Sequence, residues 1–494
     1  MFQRRLLTDS DIERLADSAL TILEKVGIIC QNTDMLRALD EWGAIVDYEG
    51  EVARFPRKRV EEFAAVIREE RAGKLENGLD WSLGFAQDDP RKGKASKPDD
   101  GFAVFQAPPR PTLGTQVAQF CYDDATGERN PGTREDLITL IRLGDTLHPE
   151  EGSGHSLIIR EAPPLIEPLE AALTLAEYSR KPGPGFAWDV RQVDCLIEMG
   201  DILGIPDWFT MGAVCFAHPL RFDRDVAARV VRMAKMGHAV GLTGMQISGA
   251  STPVTVAGFV AVASAEFVAA WIAARALNPT VPLGGSVWAA TIDMRNAETS
   301  FSAPDAMLRS FATNELLTRW TGHSVAIGGG EYSAAKVPGL YAALEKAYKA
   351  MMIAAFTGEH PGIGQGMVDS GKTISPVQMI LDTEYTIALE SLGQPVEVTP
   401  EMIGMDEILS VGFGITSNHL FTEHTLHHYR DSFWLPQVVN RSGYAGFEDE
   451  KAILEKARKR VADLIATYEK PRVDPDKLAK MRQVVDRARK ELLA

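Results

Sequence analysis

Eight short apolar runs, each closing on a polar or aromatic residue and followed by a helix-like stretch, constrain the fold of this chain more than any other feature. They lie at about 152–157, 183–188, 210–217, 239–245, 281–288, 323–328, 361–366 and 408–413. In Gly183-Pro184-Gly185-Phe186-Ala187-Trp188-Asp189 and Met211-Gly212-Ala213-Val214-Cys215-Phe216-Ala217-His218 the apolar residues run on without alternating. A strand reads that way when helices cover both faces of a parallel sheet. Eight βα units in series point to an α/β chain built on a (β/α)8 TIM barrel. Such a barrel carries its site at the carboxyl ends of the strands, so function is read there.

The 494 residues leave room for one barrel of about 250 residues and two flanking pieces. An N-terminal α+β extension spans 1–148, the barrel 149–416, and a C-terminal helical extension 417–494. In the first piece, Leu15, Ala19, Leu20, Leu23 and Val26 recur at helical spacing, and Gly27 ends the run. Residues 71–100 are polar and read as a loop, 101–131 read as β-rich, and Thr133 opens a helix over Leu137 to Leu147. The tail 448–494 is strongly charged, with Ile453, Ala457, Val461, Leu464 and Ile465 at helical spacing. It reads as a helix pair that either covers the barrel or joins two copies, and a homo-oligomer is expected.

Charge narrows the partners. At −16 the chain repels phosphate backbones and anionic lipid, which argues against nucleic-acid binding and a polybasic membrane surface. The four cysteines, Cys30, Cys121, Cys195 and Cys215, form no CxxC pair, so neither a disulfide framework nor a structural zinc site is expected. The first nine residues reach Asp9 before any apolar core of a leader, which fits a cytoplasmic protein. Thr255 to Ala276 is apolar and long enough to cross a bilayer. It also carries Glu266 and Arg275 and sits between two strand runs, so it reads as a buried helix.

Two motifs invite over-reading. Gly366-Met367-Val368-Asp369-Ser370-Gly371-Lys372-Thr373 matches the P-loop pattern letter for letter. A P-loop Lys-Thr opens the following helix, whereas here Ser375-Pro376 supply an N-cap and first helical residue of their own. Metal ligation finds no better support. Cys215 and His218 fall on opposite faces of a strand, Glu359-His360 lacks a second histidine, and no bound metal is expected.

The strand ends offer His155, Trp188, Asp189, His218, Gln246, Trp288, Glu331, Tyr332 and His360. Any one of them alone reads as a satisfied rim residue. As a set, Trp188, Trp288 and Tyr332 come from separate strands that face one cavity. Aromatic faces around a cavity attract a quaternary ammonium by about 2 kcal/mol per desolvated contact. Glu331 or Asp189 adds negative field, although a carboxylate there also caps a helix. His155, Gln246 and His360 are placed to orient the rest of a substrate.

Three segments carry a family resemblance: Asp123-Asp124-Ala125-Thr126-Gly127-Glu128-Arg129-Asn130-Pro131-Gly132-Thr133-Arg134-Glu135-Asp136-Leu137, Ser333-Ala334-Ala335-Lys336-Val337-Pro338, and His424-Thr425-Leu426-His427-His428-Tyr429-Arg430-Asp431-Ser432-Phe433-Trp434-Leu435-Pro436. They lie in all three parts of the chain, and together they resemble the trimethylamine methyltransferase family. The resemblance implies a barrel that moves a methyl group from a methylated amine to a Co(I) corrinoid carried by a separate small protein docking at the barrel mouth. Aligned through Lys336 and Glu345, the family's pyrrolysine position falls on Leu344, and its aspartate before Ala-Lys falls on Ala334. Those departures turn the expectation from trimethylamine toward a quaternary amine such as glycine betaine. A quaternary amine leaves as a neutral tertiary amine, so no strong general acid is needed. Read from the strand ends, the candidate catalytic residues are Glu331, His155 and His360, and Trp188, Trp288, Tyr332, Gln246 and Asp189 are expected to bind substrate. Two other readings stand beside it: a quaternary-amine binding protein without catalysis, and an unrelated barrel lyase or hydrolase using His155 or His360 as base.

Overall fold

The computed structural model describes residues 5–76, 113–114, 116–216, 219–328, 332–357, 363–392, 396–415, 417–439 and 449–494. Helix α1 (Asp9–Lys25) opens with a capping box in which Thr8 and Asp11 satisfy each other's backbone N–H groups, and it ends before Gly27 at φ 73°. It packs its Leu15, Ala19, Leu20 and Leu23 face into the largest core cluster. A short sheet joins Ile28–Cys30, Ile45–Asp47, Val52–Arg54 and Arg221–Phe222, which is the β piece expected in the N-terminal part. Helix Arg57–Glu76 continues through the start of the stretch read as a loop, and 77–112 lie outside the described residues. A hairpin, Phe120–Asp123 with Glu128–Pro131, precedes α2 (Arg134–Leu147), which is capped by Thr133 and Asp136 as the sequence indicates.

From there strand and helix alternate. Helix α3 (Glu167–Tyr178) is followed by β1 (Gly185–Ala187), α4 (Val193–Leu203), β2 (Phe209–Met211), α5 (Arg224–Met236), β3 (Val240–Gly244), α6 (Val256–Leu277), β4 (Leu283–Val287), α7 (Pro304–Thr321), β5 (Ala326–Ile327) and α8 (Leu340–Thr357). β1 pairs parallel to β2, and β3, β4 and β5 pair parallel in one sheet. Single backbone bonds extend the chain of neighbours: Gly154 N–H to Leu113 O at 2.8 Å, Gly183 N–H to Ser153 O at 2.8 Å, Gly212 N–H to Ala187 O at 2.8 Å, and Thr243 N–H to Val214 O at 2.7 Å. Six segments around these strands, with 113–118 ahead of them, thus lie side by side in sequence order. The structure shows a mixed α/β chain with several small sheets.

Alternation along each strand separates two faces. A Cβ on Gly185 would meet Leu196 and Ala172 of the flanking helices, and one on Gly285 would meet Phe267 of α6. Residues 185 and 187, and 285 and 287, therefore face the helix layer. Phe186, Trp188, Ser286 and Trp288 face the opposite side, away from these helices. α6 meets the length and hydropathy of a membrane span, yet 78% of its apolar window is buried inside this fold.

In the run at 361–366 the described residues 363–366 form no strand and lead by a turn into Met367–Val368, and the run at 408–413 is not a strand either. It lies in helix Met405–Val411, which follows the Thr399-capped helix Pro400–Ile403 and ends at Gly412. A short apolar run with no long period suits a buried strand and a helix equally, and here the acidic first turn, Asp406 and Glu407, belongs to a helix. The tail forms the expected pair. After α9 (Pro376–Leu392), α10 (Asp449–Ala466) buries Ile453, Ala457 and Leu464 among residues of α2 and α9, and α11 (Pro475–Leu492) buries Met481, Val484, Val485 and Ala488 among those of α3 and α4. Both helices thus cover the strand–helix body.

Candidate functional site

The face away from those helices gathers rings at the strand ends. Trp288 closes β4, and its indole N–H donates to Ser286 Oγ at 2.9 Å on the same face. The Trp288 and Tyr332 rings stand 4.8 Å apart at 55°, and Phe301 meets Tyr332 edge-on at 5.8 Å. Two glycines make room for them. A Cβ on Gly328 would enter the Trp288 indole, and one on Gly371 would enter the Tyr332 ring. Gly371 also adopts φ 81°, where a side chain is strained. Tyr332 is held from behind, since its carbonyl accepts the Ser302 hydroxyl at 2.9 Å.

Gly371 belongs to the P-loop-like stretch, which is a turn between Met367–Val368 and Thr373–Ile374. Helix α9 starts after it at Pro376, with Ser375 Oγ accepting the Gln378 N–H at 3.1 Å, so Lys372 and Thr373 stand outside the helix as read from the sequence. The same turn holds Asp369, nearly buried, which binds Lys336 Nζ at 2.7 Å and also the Arg129 guanidinium. Three segments that stood apart in the sequence, around Arg129, Lys336 and Asp369, are tied together beside the aromatic pair.

Trp188 stands apart, after the end of β1. It is 37% exposed and stacks on Phe186 at 5.5 Å, its one ring neighbour among the described residues. Trp288 and Tyr332 are therefore brought together and Trp188 is not in contact with them. Asp189 takes the capping role: its side chain accepts the Arg191 N–H at 2.9 Å and holds the Arg191 guanidinium at 3.0 and 2.7 Å. Those bonds to Arg191 hold its pKa below the usual carboxylate range.

His155 is fully buried. Its Nδ1 accepts the Phe186 N–H at 3.3 Å, so the neutral ring carries its proton on Nε2 and donates it to Glu167 Oε1 at 3.1 Å. Both ring nitrogens are committed to the scaffold. Gln246 points into the helix layer, on the same side as Gly244, and donates from Nε2 to Glu266 Oε2 of α6 at 2.6 Å. Glu266 also accepts the Leu220 N–H at 2.7 Å, and burial pushes its carboxyl up to about 7. Glu331, His360 and His218 lie outside the described residues. Leu344 sits on α8 and is 63% exposed. Among the described residues no group of three His, Cys, Asp or Glu side chains is arranged to hold a metal, and all four cysteines are free.

The residues that sequence reasoning passed over are Phe301, Asp369 and Gly371 beside the ring pair, and Arg229, whose Nη1 lies 2.8 Å from where a Cβ on Gly212 would stand. Gly371 and Asp369 were within the P-loop-like match, whose phosphate-binding meaning concealed their packing role. Arg229 had no signal, because a helical arginine before a strand is ordinary.

The family model described as trimethylamine methyltransferase (MTTB) matches residues 113–493. Trimethylamine methyltransferase MttB2 of Methanosarcina mazei is 27% identical over 281 residues, 56% of this chain and 55% of that protein. A glycine betaine methyltransferase of Desulfitobacterium hafniense strain Y51 is 26% identical over 280 residues, 56% of this chain and 57% of that protein. Against such relatives the chain spans about half their length. A trimethylamine methyltransferase MttB of Desulfitobacterium hafniense strain DCB-2 is 22% identical over 499 residues, 98% of this chain and 94% of that protein. With more than half of its length matched by the family model, the chain belongs to the trimethylamine methyltransferase family.

Proposed function

We propose that this protein transfers a methyl group from a quaternary amine of the betaine type to a reduced corrinoid borne by a separate protein. The observation that carries the reading is the Trp288–Tyr332 pair, whose rings pack against Gly328 and Gly371. Two π-faces at one strand-end site attract an N-methylated cation through the ring quadrupole. Family membership and the glycine betaine methyltransferase relative point the same way.

The fold in this reading is a closed (β/α)8 barrel, with residues 113–118 taking the place of the run that became helix 405–411. Its start then moves ahead of 149, to about 113, and the remainder divides as a preceding α+β piece and the helical piece from 417. The interior strand ends form the mouth. Trp188, exposed there, leaves that face accessible to a macromolecule. The corrinoid supplies the nucleophile for the methyl carbon. The chain's own residues bind the ammonium, aim one methyl group outward and exclude water, so that positioning supplies the rate. The departing amine is neutral and asks for no proton. Glu331, next to Tyr332 in the chain, adds negative field, and His360 orients the far end of the substrate. His155 fixes the rim between β1 and α3. The site lies in a cytoplasmic protein in this reading.

The working unit is a homo-oligomer. Between Val396 and Leu435, thirteen large apolar side chains are 44–99% exposed. Helices Pro400–Ile403 and Glu423–Ser432 bury no residue of their own. At on the order of 100 Å² each, these side chains exceed the about 800 Å² a side that a stable dimer buries. The outer face of α8 exposes Leu340, Tyr341, Leu344, Met351 and Met352. A second copy fits both faces, since a two-fold axis lets one patch cover the other reciprocally.

The test is to mix the protein with reduced cobalamin and glycine betaine, proline betaine or carnitine, and follow methylcobalamin by absorbance. Methyl transfer from at least one betaine is expected. Binding without transfer makes the chain a quaternary-amine binding protein, and no binding of any quaternary amine by the folded protein overturns the reading.

A further inference from the structure

We infer that Arg229 is the anion anchor of this site, binding the carboxylate of a zwitterionic quaternary amine whose ammonium lies at the Trp288–Tyr332 pair. The inference rests on the function proposed above and adds the group that recognises the other end of the substrate.

Arg229 is a partly buried guanidinium on α5 with no hydrogen-bond or ion-pair partner among the described residues. Its Nε is inaccessible and has no hydrogen-bond acceptor, and no oxygen of any described residue pairs with the side chain. An arginine remains charged in a protein, so a buried Nε–H without an acceptor is unfavourable, while the terminal nitrogens keep access to solvent and to a ligand. Burial pulls its pKa below the ordinary arginine value, although it stays a cation at neutral pH. The nearby acids are committed or exposed. Asp189 gives both oxygens to Arg191, Asp223 pairs with Arg221 at 2.6 Å, and Asp225 is exposed on the same helix as Arg229. An uncompensated, partly desolvated cation is unusual in a chain of net charge −16.

Its position gives it a ligand. Gly212 follows β2 directly opposite Trp188, continuing the register Ala187↔Met211, and so lies on the interior face. A Cβ on Gly212 would stand 2.8 Å from Arg229 Nη1 and 2.9 Å from Trp188 Cε3. The guanidinium therefore reaches over the strand end to the Trp188 side of the rim, and glycine is what admits it. A planar fork facing an interior site is the geometry that takes a carboxylate bidentately.

The placement also divides the three aromatic residues. A quaternary ammonium is repelled where Arg229 stands, so it favours Trp288 and Tyr332 on the far strands. Trp188 then packs on the uncharged middle of the substrate beside its carboxylate.

The experiment compares two probes on the full chain by calorimetry: glycine betaine, with proline betaine of the same spacing and carnitine as a longer alternative, and tetramethylammonium, which has no carboxylate. Arg229→Met should weaken the best-bound betaine at least tenfold and change tetramethylammonium less than twofold, while Arg229→Lys should recover part of the loss. Melting curves show whether each variant is folded. Equal weakening of both probes, or no weakening of either, overturns the anchor while the cation site stands. If wild type binds neither class, the proposed function fails and the anchor with it. If Arg229→Met does not fold, Arg229→Lys and Gly212→Ala, which displaces the guanidinium, carry the same test.

Discussion

The rings of Trp288 and Tyr332, forty-four residues apart in the chain, meet at 4.8 Å and 55° because Gly328 and Gly371 leave the volume that their side chains would fill.

Removing either ring should cost the cation about 2 kcal/mol, or about 30-fold in affinity. Trp288→Ala and Tyr332→Ala are both expected to show this with tetramethylammonium in calorimetry. Gly371→Ala should act in the same direction without deleting a ring, since its Cβ must push Tyr332 aside and φ 81° strains it. Unchanged affinity in both ring variants would remove the aromatic pair from the site.

Glu266 makes stability depend on pH. Its folded pKa of about 7 lies above the ordinary 4.5, so the folded state keeps a proton that the unfolded chain releases between those values. The stability this supplies is complete below pH 4.5 and is lost as pH rises through 7, on the order of 3 kcal/mol in all. Glu266→Gln should flatten this part of the profile and be the more stable form at pH 8.5. Gln246 can turn its amide to accept from the new group. Urea unfolding at pH 5 and pH 8.5 measures it, and an equal pH slope in both proteins refutes it.

Lys346 and Asp382 form an ion pair with almost no solvent exposure, at 2.6 Å, and Asp382 also accepts the Gly366 N–H and the Gln378 amide. Lys346→Met should cost about 3–5 kcal/mol, because it leaves a buried carboxylate without its cation. Adding Asp382→Asn should recover part of that loss. Chemical denaturation of the two variants checks both the size and the order.

Phe413 and Leu409 expose 99% and 72% of their surface in a segment with almost no buried residue of its own. The double substitution Leu409→Asp, Phe413→Asp is expected to shift the protein to monomer in light scattering without lowering its melting temperature in proportion. A monomeric wild type, or an oligomer indifferent to the change, shows that this face serves the corrinoid-bearing partner or none.

Much of the architecture was legible because it depends on local rules. Thr133 is a capping residue, so the start of α2 could be read directly, and the structure pairs it with Asp136 as it pairs Thr8 with Asp11 at α1. Ser375-Pro376 likewise fixed the start of α9 and excluded the P-loop. The run 408–413 was misread because a few apolar residues are compatible with two periods, and its helical neighbours decided the matter. The site was harder. His155, Gln246 and Asp189 are polar residues at strand ends, but Glu167, Glu266 and Arg191 bind them into the scaffold.

By itself the sequence determined where strands and helices alternate, which end of the strands bears the rings and, through three separated segments, the family. Periodicity and capping act within a few residues and need no fold to be seen. Only the tertiary structure decided which polar groups stay available: that Asp369 gathers Lys336 and Arg129, that Gly371 frames Tyr332, and that the buried Arg229 Nε is left without an acceptor among the described residues. A side chain's partners come from across the chain, and whether it is satisfied depends on all of them at once.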